Sequence, residues 1–468
     1  MTRTRRYAVV GTGARAQFYI AALVGEHADT AELAAWCEPN PARMDHADRI
    51  VAEHLPGAPP PARYTPGDLE RMVAGERVDT VVVTTPDGTH AEVVDRAMRA
   101  GADVVLEKPL TTSAEGCRAI AAAIEETGRS LVLTFNYRYS PRNAALKEAV
   151  GSGRIGEVTS VHFEWALDTM HGADYFRRWH REKGNSGGLA VHKAGHHFDL
   201  VNWWLADTPA WVFASGGLRF YGDANARSRG LGERPERGTT DPPSTDPFAL
   251  DLRADPALRS LYLDAEVHDG YLRDRDVFAP GITIEDNVSA MVCYGRGAVL
   301  TYSLNAHSPW EGYRVTVNGT AGRAELEVVE RSAVLPGPDG RFVLDASSVA
   351  DTADGEARRR GARLTVQRHW EKAESVPIAE DRGGHGGGDA LLLQDVFGRP
   401  QPDPLGRRAG FRDGLASVSV GLAANASMDS GMPVAVGDLG LPEPAAGAGD
   451  PDTATHAGGA GRHHVRDR

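Results

Sequence analysis

Tyr7-Ala-Val-Val-Gly-Thr-Gly-Ala-Arg-Ala16 is the stretch from which the fold is read. The apolar run Tyr7 to Val10 reads as a buried strand. It stops at Gly11, Gly13 follows two residues later, and from Ala14 the chain turns helical through Ala16, Gln17, Ile20, Ala21 and Leu23. A strand, a tight glycine turn and a helix start present bare backbone N–H groups at the positive end of a helix dipole, which suits a pyrophosphate. Gly11 permits the turn, Gly13 lets a phosphate approach the main chain, and the small Ala16 lets the helix pack on the strand. The pattern is G-x-G-x-x-A, the alanine-ending dinucleotide fingerprint, and it assigns Gly11, Gly13, Ala14 and Arg15 to a cofactor. A glycine turn of this kind can also be only a turn, so its meaning depends on the strands and helices downstream.

Outward from that turn, Glu32 to Cys37 reads as a second strand closed by Glu38-Pro39. An acid at that strand end accepts hydrogen bonds from ribose hydroxyls and repels a 2′-phosphate, favouring NAD. Arg43, one helical turn on, leaves NADP open, and Glu38 could instead cap the helix that starts after Pro39 and Asn40. Val78 to Pro86 is a near-continuous β-branched run of the kind buried in parallel sheets. Asp87-Gly88-Thr89-His90 then turns into a helix. Gly101 to Pro109 is the next strand, ending in Glu107-Lys108-Pro109; a helix over 113–126 and a strand over 131–135 come after it. Strands alternating with helices at this spacing predict an α/β fold, a doubly wound parallel sheet covered on both faces. Ligands in such sheets gather at the carboxyl ends of the strands, where Gly11, Glu38, Thr84, Pro86 and Lys108 all fall.

The chain has 468 residues and so about two or three domains. A net charge of −13 and the lack of a basic cluster interleaved with aromatics argue against a polyanion partner such as nucleic acid, leaving room only for a small local basic pocket. Cys37, Cys117 and Cys293 stand far apart, which encodes neither a disulfide framework nor a thiolate zinc site and fits a cytoplasmic protein. The twin arginine near the N-terminus leads straight into the first strand, and no apolar run reaches the roughly eighteen residues of a membrane span.

The set Gly11/Gly13/Ala16, Glu38-Pro39, Thr84-Thr85-Pro86 with His90, and Glu107-Lys108-Pro109 resembles the Gfo/Idh/MocA family of NAD(P)-dependent sugar and polyol oxidoreductases. The resemblance implies cofactor contacts at Thr84, Thr85, Pro86, His90, Glu107 and Lys108. It also places Lys108 against the reacting oxygen, where a cation stabilises developing alkoxide charge.

Past the sheet, Asn136-Tyr137-Arg138-Tyr139-Ser140-Pro141 is a polar, aromatic crossing. A helix over 142–150 and an alternating strand over 157–167 come next. Asp168 to Arg181 is a loop whose Tyr175, Arg178 and Trp179 suit a polyhydroxylated ligand, or equally an aromatic self-anchor. Ser186-Gly187-Gly188 opens a helix carrying His192, His196, His197 and Asp199. In the family pattern an aspartate stands where this chain has His192. His192 and His196 share one helix face. By resemblance His196 is the proton-moving base, with His192 catalytic or substrate-holding; the missing charge would have to come from Asp168, Asp199 or Glu285. Arg138, Asp199 and His385, in the run Gly383 to Asp389, are further substrate-side candidates. A metal held by His192, His196, His197 and His180 or His385 lacks a third ligand fixed by spacing, so no metal is expected; a purely structural cluster stays open.

Residues 220–256, rich in Gly, Pro and charge, read as a surface insertion serving as lid, interface arm or disorder. Strands over 287–294, 299–304, 313–317 and 324–329 predict a large, mainly antiparallel open sheet, whose far face would by resemblance meet a second subunit in a homo-oligomer. Residues 1–136 thus form an NAD-binding domain, 137–434 a substrate-binding and oligomerisation domain, and 435–468 a disordered tail. The expected activity is hydride transfer between NAD and a secondary alcohol of a sugar, polyol or glycoside. Two alternatives remain: a glycoside-modifying enzyme that retains its NAD, and a non-catalytic sensor.

Overall fold

A computed structural model describes residues 4–336, 357–379, 388–399 and 401–442. Six strands, β1 (Arg5–Val10), β2 (Ala31–Cys37), β3 (Ala62–Tyr64), β4 (Thr80–Val83), β5 (Asp103–Leu106) and β6 (Leu131–Leu133), form a parallel sheet in the order β3-β2-β1-β4-β5-β6. Every residue of β4 is buried, as its β-branched run predicts. Helices such as Ala14–Val24 and Ala114–Thr127 cover the sheet. The strand order reverses between β1 and β4, which opens a crevice at their carboxyl ends. Sequence reading missed β3, because three residues with Arg63 exposed at the centre carry no apolar pattern.

The second sheet has nine strands: β7 (Val158–Asp168), β8 (Pro209–Gly217), β9 (Asn287–Tyr294), β10 (Val299–Ser308), β11 (Glu311–Gly319), β12 (Gly322–Arg331), β13 (Gly361–Arg368), β14 (Glu374–Val376) and β15 (Val434–Ala435). Their order is β14-β13-β12-β11-β7-β10-β9-β8-β15, antiparallel throughout except for the β7–β10 pair. Helices Ala194–Leu205 and Phe411–Ser430 bury one side of it. The other side alternates outward through Phe213, Met291, Thr301 and Arg314, and the apolar Phe213 and Met291 stand exposed there.

Three expectations are corrected. The loop after β7 contains a helix, His171–Arg177, whose residues are almost all buried. The insertion is not bare surface: it holds a helix at Asp223–Ser228 and leads into helical turns between Leu252 and Asp269, with a small core of Leu250, Leu252, Leu258, Leu261 and Tyr262. A disordered tail from residue 435 is also wrong at its start. Val434 and Ala435 pair with Val212 and Trp211 of β8, and a turn covers Val436–Leu439. Among the described residues no helix is long and apolar enough to cross a membrane.

Arg138 and Asp199, expected on the substrate side, are instead a buried structural pair. The guanidinium grips Asp199 with two hydrogen bonds of 2.8 and 2.6 Å and reaches Asp413 at 2.7 Å. It thereby ties the crossing segment to both helices that back the second sheet. Removing one partner of a buried ion pair leaves an uncompensated charge. Arg138→Met is therefore expected to lower unfolding stability by about 3–5 kcal/mol, measured by denaturant titration, and the double variant Arg138→Met/Asp199→Leu should recover part of that loss.

Candidate active site

Gly11 holds a φ of +87°, and a β-carbon there would lie 3.0 Å from the Thr84 carbonyl, so only glycine fits where β1 meets β4. The Thr84 hydroxyl fastens the turn to the Gly11 carbonyl at 2.5 Å. The helix Ala14–Val24 then starts with no side-chain cap, and its Ala14 N–H points to the hydroxyl of Tyr262 at 3.1 Å. Glu38 is buried at the end of β2 and accepts the Thr12 and Asn40 N–H groups at 2.9 and 3.0 Å. It does not cap the next helix: Asn40 does, accepting from Ala42. Glu38 is left poised beside the glycine turn. The turn, the helix end and this acid fit a dinucleotide.

At the end of β5, burial works against the Glu107 carboxylate, yet Arg15, the Tyr19 hydroxyl and Lys108 hold its pKa below the ordinary value. His90 departs from its expected cofactor contact. It is fully buried, with its ring nitrogens on the carbonyls of Pro109 (2.8 Å) and Thr85 (3.1 Å), and burial lowers its pKa. It buttresses the Thr85-Pro86 turn against the Lys108-Pro109 strand end and presents no surface to a ligand.

The Gly187-Gly188 pair places the histidine helix. Gly188 has a φ of +79°, and a β-carbon would fall 2.8 Å from the Glu285 carboxylate. That carboxylate accepts the Ala190 N–H at 2.8 Å and so starts the short helix Leu189–His192. His192 meets Lys108 across the two sheets, Nε2 to Nζ at 2.9 Å, and its Nδ1 bonds the Asp87 carboxylate. The charge absent from position 192 is thus supplied by Asp87 and by none of the three acids expected. Asp168 binds Arg331 and the backbone N–H groups of Met170 and His171, Asp199 binds Arg138, and Glu285 caps the helix. Asp87 opens the turn after β4, where a crevice residue belongs, but nothing in its spacing names a partner a hundred residues on.

Burial dominates the electrostatics. It pulls Lys108 down to about 8 against the opposing pull of Asp87 and Glu107. Burial, reinforced by Lys108, drives His192 well below its usual value, and it pushes Asp87 up with Lys108 opposing. Burial therefore favours the neutral imidazole, and its protonation is coupled to that of Asp87.

Aromatic side chains surround His192. Tyr175 and His180 approach it edge-on at 5.5 and 4.3 Å, and Trp179 stacks on His180 at 3.6 Å. Arg178, partly exposed, pairs with Asp174 at 3.0 Å. Tyr175, Trp179 and Arg178 are thus brought to the Lys108–His192 contact, with His180 as a neighbour. His196 lies one turn further on, stacked on Tyr137 at 4.5 Å. His197 points into the core, stacked on Trp165 at 4.0 Å and bonded to the Tyr302 hydroxyl. Among the described residues no group of three or more metal-ligating side chains could hold an ion. His385 lies outside the described residues.

Known proteins share this plan. A model of the oxidoreductase family's NAD-binding Rossmann fold matches residues 5–135, and a model of that family's C-terminal α/β domain matches residues 147–436. A putative oxidoreductase, YteT, of Bacillus subtilis is 34% identical over 79% of this chain and 84% of its own length. An inositol 2-dehydrogenase of Rhizobium meliloti is 33% identical over 31% of this chain and 42% of its own. In fold the chain is similar to the WlbA dehydrogenase of Bordetella pertussis, solved with NADH and UDP-GlcNAcA, at a TM-score of 0.59, 19% identity and coverage of 92% and 99%. Carrying both domains of that pattern in order, the chain is a member of the Gfo/Idh/MocA family of NAD-binding oxidoreductases.

Proposed function

We propose that the protein is an NAD-dependent dehydrogenase of a secondary alcohol on a sugar, polyol or glycoside, with Lys108 as its proton carrier. The observation that carries this reading is the line Lys108–His192–Asp87, in which a buried amine of pKa about 8 abuts a neutral imidazole backed by a carboxyl group. Gly11, Gly13, Ala14, Arg15 and Glu38 would hold the cofactor, whose nicotinamide supplies the redox partner of the carbinol carbon when bound. Neutral Lys108 accepts the hydroxyl proton at Nζ and passes one to His192 Nε2, while the Nδ1 proton shifts toward Asp87. In the reverse direction the Lys108 ammonium returns a proton to the oxygen. His196, in the first turn of the following helix, orients a neighbouring hydroxyl. Tyr175 and Trp179 offer flat faces to the sugar, and Arg178 offers donors to its oxygens.

Cofactor choice turns on Arg43. The cation that could meet a 2′-phosphate is already bound to Asp269 at 2.7 Å and faces Glu38 at 3.4 Å, which supports NAD. The exposed Phe213 and Met291 on the open sheet face support a homo-oligomer formed there.

A polyol and glycoside panel with NAD and NADP, followed by nicotinamide absorbance and by sugar products, tests the reading. Lys108→Met should abolish turnover while sparing NAD affinity; unchanged turnover refutes the assignment. Alcohol oxidation should rise with pH through about 8, because only the neutral amine accepts the proton. Since Asp87 holds the Lys108 pKa up, Asp87→Asn should move that rise to lower pH. It should also cut kcat by about 10²-fold or more, by removing the carboxylate that fixes the imidazole tautomer. Glu38→Gln should narrow the preference for NAD over NADP by about tenfold, by removing a like-charge repulsion, read from the two Kd values.

A further inference from the structure

The helical turns after the insertion lie on the cofactor side of the molecule and are not accounted for by the proton line. The Tyr262 hydroxyl accepts the Ala14 N–H and sits 3.8 Å from where a Gly13 β-carbon would be, at the mouth of the glycine turn. A phenol that accepts an amide hydrogen still has its own proton to donate. Arg43 and Arg273 flank its ring at 5.8 and 5.7 Å.

The same segment is fastened on both sides. Toward the nucleotide-binding sheet, Asn40 donates to the Ala265 carbonyl at 3.0 Å and to Asp269 at 2.9 Å, Arg43 pairs with Asp269, and His46 bonds Ser260 at 2.8 Å. Toward the second sheet, Arg237 pairs with Glu266 at 2.6 Å, Arg273 pairs with Asp174 at 2.8 Å, and the Trp179 N–H donates to the Tyr271 hydroxyl at 3.3 Å. The segment therefore runs from the glycine turn, past Glu38, to the aromatic side chains around His192.

We infer that Leu252–Arg273 is the outer wall of the dinucleotide site, with the Tyr262 hydroxyl donating to the pyrophosphate and the Asp269–Arg43 pair holding the wall shut. This rests on the proposal that a dinucleotide occupies the Gly11–Arg15 turn. A nucleotide seated between that turn and Glu38 leaves only after Asp269 releases Arg43 and Asn40. Dissociation is then gated by the segment and not by diffusion from an open cleft.

The test uses the full chain and NADH, followed by its fluorescence in equilibrium titration and in dilution-driven dissociation. Tyr262→Phe keeps the ring and should weaken Kd about tenfold or more, the loss expected for a hydrogen bond to a charged group. Asp269→Asn should speed dissociation about tenfold, as a released ion-paired clasp predicts. Hydrogen exchange on the wild type should show the amides of 258–271 gaining protection when NADH is added, a readout that does not depend on either variant folding. Unchanged Kd and dissociation in both variants, or no added protection in the wild type, overturns the inference and leaves the dehydrogenase reading intact. A wild-type chain that binds neither NADH nor NADPH overturns both.

Discussion

A lysine buried against an imidazole instead of a carboxylate has no full charge to meet its own, and the surrounding structure reflects that constraint. Desolvation makes the ammonium costly, and only Asp87, acting through His192, and Glu107, behind the strand end, offset the cost. Neither acid is free to move. Glu107 is clamped by Arg15 and Tyr19, and Asp87 sits in the turn that His90 buttresses from below. The result is an amine whose two protonation states lie close in energy near neutral pH, which is what a group exchanging protons with an alcohol requires.

The two sheets contribute unequal halves to this contact. The parallel sheet supplies Lys108 and Asp87 from adjacent strand ends, and their spacing is fixed by the β4–β5 register. The second domain supplies His192, aimed by a glycine pair and by Glu285 at the start of its helix. A shift of the histidine helix by one residue would turn the imidazole away from both partners. The buried pair of Arg138 with Asp199 anchors the helix after it and resists such a slip. An acid and a base that looked like substrate ligands thus keep His192 in register with Lys108 and Asp87.

Local pattern made much of this legible. The glycine turn, the β-branched β4 run and the Glu107-Lys108-Pro109 strand end are short-range signals, and each lies where parallel-sheet geometry puts it. The strand signals matched β9 to the residue and β10 up to Leu304, four residues short of its end. What escaped the sequence is long-range: Asp87 is linked to His192 across 105 residues, and Tyr262 to Ala14 across 248. Such pairs leave no periodic trace. Arg138 and Asp199 misled for a related reason, since a buried ion pair and a ligand-binding pair use the same residue types and differ only in what covers them. The chain after Pro433 reads as polar and small, and its attachment to β8 comes from backbone pairing, to which composition is blind.

The late helix Gly388–Phe397 carries a consequence for how the polypeptide is made. Phe397 packs edge-on against Tyr7 of β1 at 5.2 Å and near Tyr19 at 6.1 Å, while the Leu133 N–H donates to the Ala409 carbonyl at 2.9 Å. The first strand of the parallel sheet and its last are therefore covered by segments made much later in translation. Until translation has passed residue 409, the nascent nucleotide-binding layer has an open flank of tyrosine and leucine. A chain stopped at the end of β6 would expose that flank as a sticky intermediate and would not be a smaller working module.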